Sequence, residues 1–335
     1  MAKLLLIADA WAPQINGVAR VAAAHVRELE RTGWSVEVIE PGQFFNVRLM
    51  FTPDVYLALF ASHRVARRIR AGGFDAVHIL AEGPLGLAAR RACLQQGVPF
   101  TTWYHTRYDI YVGAYVTKVL IAPFARYLSW FHGKSLRVMV SNKTLKAMLD
   151  SDGYANVVVV PLGVDTERFT RNPNTSVPKL PGPVFVYFGR MAPEKSPEEF
   201  LKLDLPGSKM VIGDGPLRKP LQKKYPKATF VGFKTGQGLV DYLSICDVFV
   251  FPSRTETFGL VQLEAMACGM PVAAHDVLGP RDVVTEGKDG HLSEDLAEAA
   301  LKCLDLNRMD CRAKALQYSW ANSAKEFANQ LALIK

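Results

Sequence analysis

The chain has 335 residues, 49% of them hydrophobic and 21% charged, which is the balance of a globular chain and, at this length, of two ordinary domains. No run approaches about 18 uncharged apolar residues, so a transmembrane helix is excluded, and the apolar run after Met1 is too short for a signal peptide and reads as a first strand. The net charge of +8 invites anionic partners. It is uneven: residues 1–165 hold 18 Lys and Arg against 12 Asp and Glu, and the remainder 22 against 20. Five cysteines (Cys93, Cys246, Cys268, Cys303 and Cys311) form no CxxC pair, which points to reduced thiols in a cytosolic protein and to no structural zinc site.

In chain order, Lys3–Asp9 reads as a strand, and the turn Trp11–Asn16 leads to Gly17 at the opening of a helix, Val18–Thr32. A glycine there lets backbone approach a ligand beside the helix amides, although a plain turn glycine would look the same. Ser35–Ile39 is a strand, Val55–Arg70 a helix with a basic face, and Ala76–Leu80 a strand. Glu82-Gly83-Pro84-Leu85-Gly86 opens the next helix, and Pro99–Tyr104 is a strand ending at His105. Arg137–Ser141 and Val157–Pro161 follow. Strands alternating with helices make a doubly wound parallel sheet, with ligands at the carboxyl ends of its strands, which is where His105 falls.

The stretch 162–183 has linker chemistry, and a second alternating series begins after it. Val184–Phe188 ends in Gly189-Arg190, with Lys195 just beyond; Lys209–Gly213 runs into Gly213-Asp214-Gly215-Pro216; Thr229–Gly232, Asp247–Phe251, Val272–Ala274 and Gly290–Leu292 complete a sheet. The Gly-x-Gly is not a dinucleotide fingerprint, because Arg218 stands where the third Gly belongs. No P-loop, HExxH or Gly-x-Ser-x-Gly is present, and nucleic acid is not expected: the basic residues are spread out, with no ribonucleoprotein aromatics.

The centre of the sequence is DVFVFPSRTETFGLVQLEAMACGMP, residues 247–271. A strand stops at Pro252, a polar turn carries Glu256, and an apolar helix carries Glu264 before Gly269 ends it. A lone carboxylate on so apolar a helix needs a partner or a ligand. Eight residues at about 1.5 Å rise would set the two carboxylates roughly 12 Å apart along a helix axis, a ruler for an extended ligand. With Arg190 and Lys195 as fixed cations and the amides of Phe258, Gly259 and Leu260 at a helix opening, the set suits a nucleoside diphosphate sugar. Lys195 and Arg190 would take the diphosphate, Glu264 the ribose and Glu256 the sugar hydroxyls. No metal or other cofactor is expected. Arg190 and Arg254 would also suit an acidic donor sugar.

Together, Glu256-x7-Glu264, FGRMAPEK (188–195), GDGP (213–216) and PLGVD (161–165) resemble the retaining glycosyltransferases of family 4. The resemblance implies an α/β, GT-B architecture: two Rossmann-like, doubly wound parallel-sheet domains facing across a cleft. Residues 1–165 would form the acceptor-side domain and residues 166–318 the nucleotide-sugar domain, with a helix in 319–335 crossing back to the first. It further implies that Gly17 approaches the donor phosphates, that His105 and Glu256 serve the reacting hexose, and that retention arises by front-face attack with no enzyme nucleophile. Thr257 departs from the family's frequent Pro, and the 202–209 loop is short.

EGPLG (82–86) and YHTRY (104–108) resemble the branch that glycosylates diacylglycerol, including sulfoquinovosyl diacylglycerol synthases. Tyr108, Tyr111, Lys118 and Arg126, within and after that motif, lie on or beside an aromatic, cation-studded stretch (111–134) able to lie in a bilayer interface, and the stretch 44–60 adds Phe45, Tyr56 and Phe60. The expected partners are a UDP-sugar, a lipid acceptor and an anionic membrane surface, with the enzyme in the cytoplasm and peripheral to the inner face of the membrane. A soluble sugar or polysaccharide acceptor is the alternative, and a non-catalytic nucleotide-sugar or anionic-lipid binder the competing class.

Overall fold

The computed structural model describes residues 1–12, 14, 16–49, 52–105, 119 and 121–334. The chain divides into two compact units, residues 1–162 with 320–335, and residues 163–319. The first unit runs β1 (Lys3–Ile7), α1 (Gly17–Arg31), β2 (Ser35–Ile39), β3 (Asn46–Leu49), β4 (Thr52–Ala58), α2 (Ser62–Ala71), β5 (Ala76–Ile79), α3 (Pro84–Gln96), β6 (Thr101–Trp103), α4 (Ile121–His132), β7 (Val138–Val140), α5 (Lys143–Ser151) and β8 (Val157–Val159). Its sheet is ordered β2-β1-β5-β6-β7-β8, and all pairs are parallel. The central strands β5, β6 and β7 are short runs buried on both faces, as crossover helices require.

The second unit runs β9 (Val184–Phe188), α6 (Pro197–Lys202), β10 (Ser208–Ile212), α7 (Arg218–Lys224), β11 (Thr229–Gly232), α8 (Gly236–Leu243), β12 (Val248–Phe251), α9 (Leu260–Ala267), β13 (Val272–Ala274), α10 (Pro280–Val283), β14 (Gly290–Leu292), α11 (Leu296–Lys302) and α12 (Arg308–Leu316). The order β11-β10-β9-β12-β13-β14 is again parallel throughout. The last helix, α13 (Trp320–Asn329), belongs to the first unit: Ser323 Oγ bonds His25 Nε2 of α1 at 2.7 Å, and Ile334 N donates to Asp75 O at 2.8 Å. In each sheet the strand order reverses beside the first strand, between β1 and β5 and between β9 and β12. A parallel sheet opens a ligand crevice at such a reversal.

One element differs from the sequence reading. Residues 55–58 belong to the strand Thr52–Ala58, paired antiparallel with Asn46–Leu49, and the helix begins only at Ser62. Pro53 and the β-branched and aromatic residues around it favour extended chain, and Phe60 at φ 58° turns the backbone before the helix. Among the described residues no helix is long and apolar enough to cross a membrane.

Burial fixes charge states in the first unit. The buried His25 and His78 are pushed down to about 3 by desolvation, His78 further by His25. Asp9 is pushed up to about 6, by burial first and by Glu82, against the amides of Leu85 and Gly86 that bond its carboxylate. Unfolded histidine takes up its proton near pH 6.5 while the native rings stay neutral, so stability falls as pH drops below about 6.5. Asp9 acts the other way between about pH 6 and 4, because there the folded chain holds the proton that the unfolded chain has released, and it offsets one of the two histidines. With His105 also kept neutral by burial, the net over these four groups is two protons, about 2.7 kcal/mol per pH unit. Thermal unfolding followed from pH 7 to 4.5 is expected to show a falling midpoint that His25→Phe flattens; parallel curves for the two proteins would refute buried, neutral His25.

Candidate active site

The reversal in the second sheet places the loop after β9 beside the turn after β12. Phe185 and Phe249 lie at the core of the paired strands, and both chains emerge at their carboxyl ends. Backbone hydrogen bonds hold the start of the β9 loop: Gly189 N donates to Ile212 O (3.0 Å), Met191 N to Asp214 O (2.8 Å) and Leu217 N to Met191 O (3.0 Å). That explains the Gly-x-Gly that does not fit a dinucleotide fingerprint. A Cβ on Gly213, at φ 146°, would lie 1.9 Å from Gly189 O, so only glycine lets the two loops cross at this distance.

The turn 253–257 is tied to the β9 loop by hydroxyls. Ser253 Oγ and Thr255 Oγ1 both donate to Glu194 O, at 3.2 and 3.0 Å. Glu194 and Lys195 form a short 3₁₀ turn, and clamping that carbonyl brings the Lys195 ammonium onto the Glu256 carboxylate, Nζ to Oε1. Both side chains are largely covered. The sequence reading gave Lys195 and Glu256 different parts of a ligand; the fold joins them as an ion pair.

The eight-residue ruler does not hold as drawn. Gly259, at φ 81°, separates Glu256 from α9, which begins at Leu260, and Gln262 Nε2 donates to Phe258 O at 2.8 Å to fix that entry. Only the four steps from Leu260 to Glu264 are helical, roughly 6 Å of rise. Glu264 is buried, as is Phe258, while Leu260 and Gly259 are half-buried at the helix opening. Arg190 is exposed, and its carbonyl accepts from Tyr187 Oη at 2.6 Å. Arg254 does not stand ready for an acidic sugar: its guanidinium bonds Glu294 at 2.9 Å and lies 3.5 Å from Glu199, which also bonds His275 Nε2 at 2.8 Å.

In the first unit Gly17 is the first residue of α1, capped by Asn16 Oδ1 accepting from Ala19 N at 2.9 Å. It is exposed, has ordinary helical backbone, and a Cβ there would meet nothing within 4 Å, so no packing demands a glycine. His105 follows β6, half-buried, its imidazole parallel to the Trp103 indole. Its basicity is pushed far down by burial and by His78, His25 and His132. Arg126 is exposed on α4; Tyr108, Tyr111 and Lys118 lie outside the described residues. Sequence reasoning missed the buried chain at the β1–β5 reversal, where Thr102 Oγ1 meets His132 Nδ1 at 2.9 Å and His132 Nε2 meets Glu82 Oε1 at 3.0 Å. Glu82 was legible as part of EGPLG, whereas nothing local marked His132, fifty residues on. Phe45 and Phe60 are 69% and 89% exposed, with Trp130 and Val119 exposed as well.

Two parallel six-stranded α/β units of this order have the GT-B architecture, and the second carries cations and carboxylates at its strand reversal; the class is the nucleotide-sugar-dependent glycosyltransferases. The chain belongs to family 4 of these enzymes: the model described as Glycosyltransferase Family 4 matches residues 15–168 and the one described as Glycosyl transferases group 1 matches residues 182–307. A GDP-mannose-dependent alpha-mannosyltransferase of Mycobacterium tuberculosis is 29% identical, over 87% of this chain and 83% of that protein. The sulfoquinovosyl transferase SQD2 of Arabidopsis thaliana is 28% identical, over 79% of this chain and 58% of that protein. An alpha-monoglucosyldiacylglycerol synthase of Streptococcus pneumoniae is 24% identical, over 96% and 83%. The Anabaena HepE structure with UDP-glucose superposes with a TM-score of 0.72 at 16% identity, covering 98% of this chain and 99% of that one, which attests the fold.

The ion pair predicts opposite effects from its two halves. In calorimetry with UDP, Lys195→Met should weaken binding by about 10–100-fold, the range for a charge-assisted hydrogen bond. Glu256→Gln should leave UDP binding unchanged or tighter, since it frees the ammonium, while turnover falls. Equal weakening by both substitutions would show that Glu256 does not compete with the diphosphate.

Proposed function

We propose that this enzyme moves a hexose from a UDP-sugar to diacylglycerol with retention, making a membrane glycolipid, as a cytoplasmic protein peripheral to the inner face of the membrane. The observation that carries the lipid acceptor is the surface of the first unit: Phe45, Phe60, Val119 and Trp130 are exposed, and Arg126 of α4 is exposed with them. Aromatic rings with interspersed cations suit the interface of an anionic bilayer. The likeness to a protein named for monoglucosyldiacylglycerol synthesis supports the same acceptor.

On this reading Arg190 and Lys195 receive the diphosphate, Lys195 exchanging Glu256 for phosphate oxygen, and the amides at Phe258, Gly259 and Leu260 add to the same cradle. Glu264 accepts the ribose hydroxyls. Gly17 lets backbone approach the phosphates. Glu256, released from Lys195, accepts hydroxyls of the hexose, and His105 lies beside it. The acceptor hydroxyl attacks the anomeric carbon on the face that the phosphate leaves; the C1–O bond to phosphate breaks, the C1–O bond to the acceptor forms, and the hydroxyl proton passes to the leaving phosphate. Negative charge builds on the departing UDP, where the fixed cations offset it. Turnover is expected to persist in EDTA.

A second reading of the donor, mannose from GDP-mannose, is favoured by the mannosyltransferase relative. A screen of UDP-glucose, UDP-galactose, UDP-glucuronate and GDP-mannose with diacylglycerol vesicles, read by mass spectrometry of the lipid, separates the two. The expected product is a hexosyl diacylglycerol from a UDP-sugar. Transfer only to soluble sugars would overturn the acceptor. In flotation, wild type should rise with anionic vesicles and a Phe45→Asp, Phe60→Asp variant should remain below.

A further inference from the structure

A buried group of rings joins His105 to the C-terminal helix. The Trp103 indole and the His105 imidazole have centroids 4.8 Å apart and planes within 1°. Trp103 is packed in turn by Phe327 of α13 at 5.9 Å and 24°, and by His25 of α1 at 5.3 Å and 33°. His25 stacks on Phe327 at 4.9 Å and 13°, and His78 stands edge-on to Phe327 at 4.8 Å and 81°. Hydrogen bonds hold the histidines of this group: Ser323 Oγ to His25 Nε2 at 2.7 Å, Thr101 Oγ1 to His78 Nδ1 at 2.8 Å. Trp103, His25, His78, Phe327 and Ser323 are all buried, whereas His105 is half-buried at the strand end.

Two features separate this from ordinary core. Among the described residues the buried Trp103 Nε1 has no hydrogen-bond partner, a costly state that a leucine or phenylalanine would avoid, so the residue contributes the broad face of its ring. That face lies flat against the imidazole. A parallel neighbour restrains rotation about the imidazole's second side-chain torsion, which decides where its two nitrogens point.

We propose that Trp103, backed by Phe327, is a positioning residue that holds the plane of His105 for the transfer step. The proposal rests on the reading that His105 lies beside the reacting hexose. It makes the last helix, brought in from the far end of the chain, part of the reaction geometry.

The test uses full-length enzyme, with transfer from UDP-glucose to dioleoylglycerol vesicles and with histidine ring NMR that needs no substrate. Trp103→Leu should lower kcat by about 10–100-fold, the scale of a small misplacement, with KM for UDP-glucose within about twofold. Trp103→Phe should recover most of the loss. Added to His105→Asn, Trp103→Leu should cost under about threefold more, because there is no imidazole left to position. Should Trp103→Leu fold poorly, Phe327→Leu is expected to give the same kcat-only loss, about 3–10-fold. Ring-current shifts of the His105 Cε1–H should shrink in Trp103→Leu. An unchanged shift, an unchanged kcat, or a full further loss in the His105→Asn background would each overturn the proposal. Wild-type turnover in His105→Asn would instead overturn the reading of His105, leaving the NMR result to decide whether the ring is held.

Discussion

The second unit's site hangs on the carbonyl of Glu194. Two hydroxyls from the turn after β12 reach it and tie the β9 loop to that turn at their tips. With them, Lys195 meets Glu256, and a long flexible ammonium acquires one position. The strand pairing of β9 with β12 sets the two loops side by side, and Gly213 lets the β10 loop lie under the first of them. Each layer depends on the one before: sheet order, then close backbone crossing, then hydroxyl clamps, then charge. The ion pair also tunes the resting state. A cation parked on a carboxylate stays ordered without ligand, and an entering diphosphate, with more charge than one carboxylate, can displace it.

Much of the architecture was legible because its signals are local. Strands such as Val184–Phe188, Thr229–Gly232 and Val272–Ala274 are short apolar runs bounded by glycine, proline or polar turns, and they fold as such. The stretch 55–70 misled because its basic residues fall at helical spacing from 62 onward, and that pattern was extended back across a strand whose partner, residues 46–49, is set by a hairpin. The site was half legible. Residue types named Arg190, Lys195, Glu256 and Glu264, but the Lys195–Glu256 contact depends on the carbonyl of a third residue, and carbonyl acceptors leave no mark in a sequence. His132 was invisible for a related reason: its partners, Glu82 and Thr102, are thirty or more residues away, and only the sheet order makes them neighbours.

The two strand reversals share a plan and differ in chemistry. At β9–β12 the loops offer Arg190 and Lys195. At β1–β5 the residues are Asp9 and Glu82, and both are already engaged, Asp9 by the amides of Leu85 and Gly86 at the start of α3 and Glu82 by His132. A carboxylate that caps a helix is spent on structure; it braces the loop that follows β5 and adds no net attraction for an anion. On the proposed function, the second unit's cations would address the donor phosphate and the first unit an uncharged hydroxyl acceptor.

Charge at His105 fits that division. Burial and three neighbouring imidazoles keep its ring from taking a proton near neutral pH. In glycosyl transfer the anomeric centre becomes electron-poor as the phosphate departs, so a cation held against the sugar would oppose the reaction it is meant to assist. On the proposal that His105 lies beside the reacting hexose, its neutral imidazole can still donate or accept a hydrogen bond there. On that proposal, positive charge is offered to the leaving group by Arg190 and Lys195, while burial keeps the His105 ring uncharged.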